Sequence, residues 1–170
     1  MVHELIRKPV AAGNFRKGRK GHKPLAIVIH IMDGTLAGTD AWFNDPNSHV
    51  SSNYGVGKSG EIHQYVNEAD SAAAQGIVDK ATAKVVLDNP GINPNLFCIS
   101  IEHEGFSGQS LTNKQKQSSV ALIADIAKRN NIPLDKDHVI PHHSIRFSKP
   151  GPGPGVKVAE LIALAKRIGP

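Results

Sequence analysis

The chain has 170 residues, a formal net charge of +5 and 39% hydrophobic residues, with 16 glycines and 11 prolines. Such a length fits one domain with a core of its own, and no apolar run reaches the roughly eighteen residues of a membrane span. The single cysteine, Cys98, excludes an internal disulfide and a cysteine-rich zinc module.

The first 22 residues are predicted to form a basic, solvated N-terminal arm, which precedes a folded domain at residues 23–170. The cations of this arm would attract polyanions such as nucleic acid, acidic wall polymers or an anionic membrane surface. No nucleic-acid reading motif accompanies them, so no nucleic-acid partner is expected. No apolar segment of signal-peptide length lies near the N-terminus, which predicts synthesis in the cytoplasm without export by that route.

The first half of the folded domain is predicted to contain a central strand, a helix and a hairpin. Leu25 to Ile31 is apolar on both faces, which is typical of a strand covered by helices on both sides. A short helix then runs through residues 41–44 and is capped by Thr39 or Asp40. Residues 50–56 and 61–66 are predicted to be two strands of a hairpin, joined at Lys58-Ser59-Gly60.

The second half is predicted to alternate helices and strands. Residues 79–87 favour a short helix, although Val85-Val86 would suit a strand equally well, and Leu96 to His103 is a second central strand. Thr112 begins a helix that ends near Asn130, and a short strand follows at 137–141. A last helix is closed by Gly169. The expected fold is α/β, with a mixed central β-sheet flanked by helices.

Two histidines follow apolar segments that are far apart in the chain. His30 ends the strand Ala26-Ile27-Val28-Ile29, and His142 follows Val139-Ile140-Pro141. A polar ring at the end of a buried strand costs free energy unless it has a partner. Two imidazoles from separate strands are suited to a zinc site, although two core histidines bonded to backbone carbonyls remain the alternative. His143 is the nearest competitor for the second position.

A zinc hydrolase also needs a base for the attacking water and a cation for the oxyanion. Glu102 is a carboxylate placed late in an apolar strand, and Lys149 follows His142 by seven residues. Each would otherwise be a solvated surface residue. Together they make a zinc-dependent hydrolase the favoured hypothesis.

Several blocks of sequence carry a resemblance to a known family. From about Lys23 to Gly155 the chain resembles the zinc-dependent N-acetylmuramoyl-L-alanine amidases of the phage lysozyme and peptidoglycan-recognition superfamily. The resemblance implies the single-domain fold of that family and hydrolysis of the amide bond between N-acetylmuramic acid and L-alanine in bacterial peptidoglycan. The matching blocks are the strand that ends at His30, then residues 50–56 with 60–66, 93–105, and 139–153.

The resemblance also implies roles for individual residues. It implies that His30 and His142 are zinc ligands and that Glu102 is the catalytic glutamate. It also implies that Lys149 stabilises the transition state and that Asn53 and Tyr54 bind the substrate.

The chain departs from the family pattern at three places around the same site. Gly151 stands where the family closes its zinc site with Cys or Asp, two residues after the lysine. Asn53 stands where a histidine is common, and residues 72–76 lack the Trp-His of many members. Zinc is therefore expected to bind weakly or not at all, with waters or Glu104 completing its coordination.

Three functional hypotheses follow from these residues. The favoured one is a peptidoglycan amidase, and the alternative is a catalytically degenerate peptidoglycan-binding module of the same fold. A third is nucleic-acid or regulatory binding through the basic arm. For the amidase, the resemblance favours a monomeric phage or prophage endolysin that acts on the wall after release from the host cytoplasm. A bacterial autolysin that works outside the cell is the alternative.

Overall fold

The computed structural model describes residues 4–168, so the predicted helix end at Gly169 lies outside the described residues. The helices are α1 (Leu36–Asn44), α2 (Lys84–Leu87), α3 (Asn113–Asn130) and α4 (Val158–Ile168). The strands are β1 (Leu5–Arg7), β2 (Phe15–Arg16), β3 (Ala26–Ile31), β4 (Tyr54–Val56), β5 (Ile62–Gln64), β6 (Ser71–Ala72), β7 (Cys98–His103) and β8 (Val139–Pro141).

The centre of the fold is a six-stranded sheet in the order β1-β5-β4-β7-β3-β8. Strands β4 and β5 are antiparallel, and all other neighbours in this sheet are parallel. Strands β2 and β6 form a separate antiparallel pair. The prediction of an α/β fold with a mixed central sheet is therefore confirmed. Within residues 4–168, no helix is long and apolar enough to cross a membrane.

Alternation of side chains along β3 separates two hydrophobic cores. Ile27 and Ile29 pack into the larger core, together with apolar residues of α3 and α4. Val28 faces the opposite side and packs into a second core with Val86 of α2. Because His30 is two residues beyond Val28, its side chain lies on the side of α2.

The parallel register brings the candidate site residues to one edge of the sheet. His30 lies opposite Glu102 of β7, and Ile29 lies opposite Pro141 of β8. His142 directly follows Pro141 and therefore lies level with His30. The carboxyl ends of three adjacent parallel strands meet here, which is where ligands bind in open α/β sheets.

Some predicted boundaries are wrong because caps and pairing partners decide them. The cap of α1 is Thr35, whose hydroxyl accepts a hydrogen bond from Gly38 N, and not Thr39 or Asp40. Residues 50–53 are not part of β4, and α2 begins only at Lys84. The predicted start of α3 is confirmed, since Thr112 is its N-cap and forms a capping box with Gln115.

The described part of the predicted arm, residues 4–22, is held against the domain by strand pairing and hydrogen bonds, although many of its side chains are exposed. Strand β1 extends the sheet beside β5, and β2 pairs with β6. Arg19 is only 5% exposed. Its guanidinium donates hydrogen bonds to the carbonyl oxygens of Glu68, Leu96 and Cys98 at 2.6–3.1 Å. The sequence does not predict this attachment, because these partners are remote along the chain.

Replacing Arg19 with methionine is expected to lower the free energy of unfolding by about 2–4 kcal/mol, because buried carbonyl groups lose a charged donor. Urea unfolding measures this change. Lys17→Met is the matched control, since its ion pair with Asp70 is exposed on the lysine side and is worth less than about 1 kcal/mol. Equal losses for the two variants would contradict the structural role of Arg19.

Candidate active site

A cavity of about 470 Å³ opens at the carboxyl ends of β3, β7 and β8. Trp42 and Phe43 of α1 form part of its wall. Five of the residues that the sequence analysis singled out for a zinc hydrolase site line this cavity. They are His30, Glu102, His142, Lys149 and Gly151.

His30 and His142 lie side by side, with ring centroids 4.2 Å apart. Burial lowers the pKa of His30 well below its usual value, and the neighbouring His142 lowers it further. Burial also lowers the pKa of His142. Both rings are therefore neutral at physiological pH, which is the form that binds metals. His143, the competitor for the second position, is exposed and does not line this cavity.

Glu102 is the carboxyl group nearest to these histidines among the residues of the cavity. Its Oε1 is 3.7 Å from His30 Nδ1, and 17% of its side chain is exposed. Its Oε2 is buried without a hydrogen-bond partner in the described part of the chain. Burial raises the pKa of Glu102 to about 8, and the charge of Asp33 contributes. A carboxyl group that titrates near neutral pH is suited to accept and return a proton.

Lys149 and Gly151 reach the cavity from the loop that follows β8. The Lys149 side chain is exposed, and its backbone N–H donates to the carbonyl of Arg146. The Gly151 carbonyl accepts from His143 N at 3.0 Å, which holds this part of the loop beside the histidines. A Cβ atom at Gly151 would meet only Ile31, at 3.6 Å from its Cγ2. The backbone therefore has room for a side chain at this position.

The donors at the cavity are fewer than a catalytic zinc usually has. Within residues 4–168, no group of three or more His, Cys, Asp or Glu side chains is placed to hold a metal ion. Catalytic zinc commonly has three protein ligands and one open position. The neutral pair His30 and His142 fits two of these positions. Glu104, expected to complete the coordination, does not line the cavity, and its carboxylate accepts from Lys58 N.

Asn53 and Tyr54 are not available to a substrate, so the substrate-binding role expected for them is corrected. They are 0% and 1% exposed. Asn53 Oδ1 accepts from Ser100 N, and the Tyr54 hydroxyl donates to Glu68 at 2.7 Å. Both side chains therefore hold β4 against its surroundings.

Glu68, the partner of Tyr54, also accepts hydrogen bonds from Arg129 and Asn130. Burial opposes ionisation of Glu68, but these three donors outweigh it and lower its pKa. Glu68→Gln is expected to lower the free energy of unfolding by about 1.5–3 kcal/mol at neutral pH.

The sign of the shift sets the pH dependence of that loss. Because the pKa of Glu68 is lower in the folded state, its carboxylate stabilises the fold fully above the ordinary pKa of 4.5. This stabilisation is lost as pH falls through the folded-state pKa of Glu68. The difference between wild type and Glu68→Gln, measured by urea unfolding, should therefore narrow below about pH 4. A difference that is independent of pH would contradict this assignment.

Three further residues line or support the cavity without having been predicted to do so. Asp33 lies at the cavity with a φ of 50° and raises the pKa of Glu102 by its charge. Arg146 adds a second cation to the cavity wall. Gln75, in a loop of small residues, accepts a hydrogen bond from His142 Nε2 at its carbonyl oxygen. An acidic residue just after a strand that ends in histidine was the available signal for Asp33, whereas local sequence carries no signal for Gln75.

Known proteins resemble this chain in sequence and in fold. The sequence profile of the family described as N-acetylmuramoyl-L-alanine amidase matches residues 20–154. Over 103 residues the chain is 32% identical to N-acetylmuramoyl-L-alanine amidase A of Achromobacter lyticus, which covers 60% of this chain. The chain spans only about half, 48%, of the length of that relative.

Solved structures share the fold. A selenomethionine derivative of AmpD has a TM-score of 0.75 and 24% identity, with 96% of each chain covered. The amidase AmiD from E. coli, solved with anhydro-N-acetylmuramic acid-L-Ala-D-gamma-Glu-L-Lys, has a TM-score of 0.70 and 24% identity, covering 83% of this chain and 57% of its own. A mutant endolysin from Bacillus subtilis has a TM-score of 0.66 and 20% identity, covering 99% and 100%.

Proposed function

The chain belongs to the N-acetylmuramoyl-L-alanine amidase family, and from this we propose that it hydrolyses the amide bond between N-acetylmuramic acid and L-alanine in bacterial peptidoglycan. The observation that carries the proposal is the arrangement of His30, His142 and Glu102 at the ends of three adjacent parallel strands of one cavity. The substrate bound to AmiD contains the same bond, which supports this choice of substrate.

We propose that His30 and His142 hold zinc, because both rings are neutral and lie next to each other at the cavity. Zinc bound there would lower the pKa of a water molecule to about 7 and polarise the scissile carbonyl. With two protein ligands and Gly151 in place of a third, zinc affinity should be lower than at a site with three.

Glu102 then acts as the base and later as the acid. Its carboxylate takes one proton from the attacking water as the C–O bond forms. It returns that proton to the nitrogen of L-alanine as the C–N bond breaks, so that the leaving group departs as a neutral amine. The ammonium of Lys149 at the cavity wall stabilises the negative charge that develops on the carbonyl oxygen.

A digestion experiment tests the activity. Purified peptidoglycan is incubated with the protein, with and without a zinc chelator, and the products are analysed by mass spectrometry. We expect soluble peptides with free N-terminal L-alanine and glycan strands that carry newly freed lactyl carboxylates. New reducing ends without new alanine amines would overturn the proposal. Retention on peptidoglycan without release would support the degenerate binding module instead.

Separate substitutions of His142 and His143 test which of the two is the second zinc ligand. His142→Ala is expected to abolish peptide release, because it removes a ring that faces His30. His143→Ala should keep activity close to wild type, because its side chain lies outside the cavity. Peptide release by each purified variant is the measurement. The opposite pattern would show that the second ligand is His143.

We further propose that the protein acts as a monomeric endolysin. Its resemblance to the phage lysozyme superfamily and its net charge of +5, which favours anionic wall polymers, support this role. Bacteria that express the protein in the cytoplasm should remain intact until their membrane is permeabilised, and should then lyse. Lysis before permeabilisation would contradict the proposal.

A further inference from the structure

Arg146 is a half-buried cation in the wall of the cavity. Among residues 4–168, none of the ion pairs includes its guanidinium. Asp79 pairs with Arg146 through the backbone, but the Asp79 carboxylate accepts from Ser148 N at 3.2 Å. A charged group that is partly removed from water costs free energy unless an opposite charge compensates it. Arg146 is therefore suited to bind an anion that enters the cavity.

The guanidinium of Arg146 lies where a glycine leaves room for it. A Cβ atom at Gly76 would be only 2.5 Å from Arg146 Nη1 and 3.5 Å from its Cζ. Gly76 has a φ of 65°, a conformation that favours glycine over other residues. The absence of a side chain at residue 76 thus lets the guanidinium lie along this part of the cavity wall.

The same loop places Arg146 close to one histidine of the site. His142 Nε2 donates to the carbonyl oxygen of Gln75 at 3.1 Å, and Arg146 Nη1 lies against the next residue, Gly76. Because these two nitrogen atoms contact consecutive residues, they lie within about 10 Å of each other. Burial lowers the pKa of His142, and the charge of nearby Arg146 lowers it further.

A peptidoglycan stem peptide carries a carboxylate at a matching distance from the scissile bond. In the substrate solved with AmiD, D-γ-glutamate directly follows L-alanine. A glutamate that is joined through its γ-carboxyl keeps a free α-carboxylate. This group belongs to the second residue of the peptide, so it lies within about 7 Å of the alanine nitrogen, since a chain spans at most about 3.6 Å per residue.

We propose that Arg146 binds the α-carboxylate of the glutamate that follows L-alanine, and that the protein thereby selects stem peptides in which this carboxyl group is not amidated. The inference rests on the proposed function and adds a substrate class to it. Arginine suits this role because its planar guanidinium donates two parallel hydrogen bonds to a carboxylate. Lys149, a point charge, has the developing oxyanion as its partner.

Three synthetic substrates test the proposal. Each is N-acetylmuramoyl-L-Ala-D-γ-Glu-L-Lys, and all three share the scissile bond. The first has both carboxylates free, the second has an amide at the glutamate α-carboxyl, and the third has an amide at the C-terminal lysine. The wild type should cleave the first and third with similar kcat/KM. Its kcat/KM for the second should be about 10–100-fold lower, the usual effect of losing a hydrogen bond to a charged group.

Three variants assign this preference to one side chain. Arg146→Gln should lose the preference for the first substrate over the second, because glutamine has no charge. Arg146→Lys should keep a smaller preference, because lysine keeps the charge but loses the planar pair of donors. Arg167→Gln is the control for net charge, since Arg167 is exposed on α4 and does not line the cavity. It should keep the wild-type preference.

Three results would overturn the inference. The first is equal kcat/KM of the wild type for the first and second substrates. This measurement needs no variant, so it remains decisive if Arg146→Gln fails to fold. The second is an unchanged preference in Arg146→Gln. The third is a loss of efficiency with the C-terminal amide instead of the glutamate amide, which would assign the recognition to a different carboxylate.

A binding measurement separates this inference from the proposed function. The tripeptide L-Ala-D-γ-Glu-L-Lys and its glutamate α-amide contain no scissile bond, so calorimetric titration with them does not depend on activity. The wild type should bind the carboxylate form more tightly, and Arg146→Gln should bind both forms equally. This pattern without cleavage of any substrate would contradict the proposed function and leave the role of Arg146 intact. Cleavage without any preference would do the opposite.

Discussion

Replacing Glu102 with glutamine is expected to lower the rate of peptide release about 10²–10⁴-fold, the usual contribution of a general base. Glutamine keeps the size of the side chain and loses its ability to take a proton from water. Binding to peptidoglycan should persist, because the cavity keeps its shape. Pelleting with insoluble peptidoglycan and mass spectrometry of the released peptides measure the two properties separately.

Glu104→Gln is the matched control for this experiment. Glu104 lies two residues further along the chain, and its carboxylate accepts from Lys58 N outside the cavity. Its substitution should leave the rate close to wild type. If Glu102→Gln released peptides as fast as Glu104→Gln, the assignment of Glu102 as the base would be wrong.

Replacing Gly151 with cysteine is expected to raise zinc affinity more than about 100-fold. Loss of a hydrogen bond to a metal-binding side chain typically lowers metal affinity about 10–100-fold, and a thiolate bound directly to zinc should have a larger effect. Gly151 lines the same cavity as His30 and His142, and a Cβ atom there makes only ordinary contact with Ile31. The third protein ligand would then complete the set that catalytic zinc commonly has. Calorimetric titration of the chelator-treated protein measures the affinity.

Gly151→Ser separates coordination from the effect of adding a side chain. Serine is close to cysteine in size but supplies no thiolate, so its affinity for zinc should stay near that of the wild type. Equal affinities of the cysteine and serine variants would mean that residue 151 does not point at the site. In that case the match of this loop to the zinc-ligand position of the family is wrong.

The catalytic candidates could be predicted from the sequence because strand periodicity is a local property. The apolar run before His30 and the alternation through Glu102 each identify a buried strand and the face of its polar residue. Parallel pairing then brings the carboxyl ends of these strands together, regardless of the loops that connect them. His142 and Lys149 follow from the third strand, β8, and the loop after it.

Tertiary contacts alone decided the remaining features, because the partners involved are far apart in the chain. Tyr54 resembles a site residue locally, yet Glu68 holds its hydroxyl inside the protein. Arg19 resembles part of a solvated arm, yet its guanidinium ends among the carbonyls before and within β7. Gln75 lies in a run of small residues, and its carbonyl oxygen accepts from His142 only when the strands have paired. The sequence by itself determined the central sheet and the residues at its carboxyl edge. The tertiary structure decided which polar side chains form internal hydrogen bonds and which remain available for catalysis or metal binding.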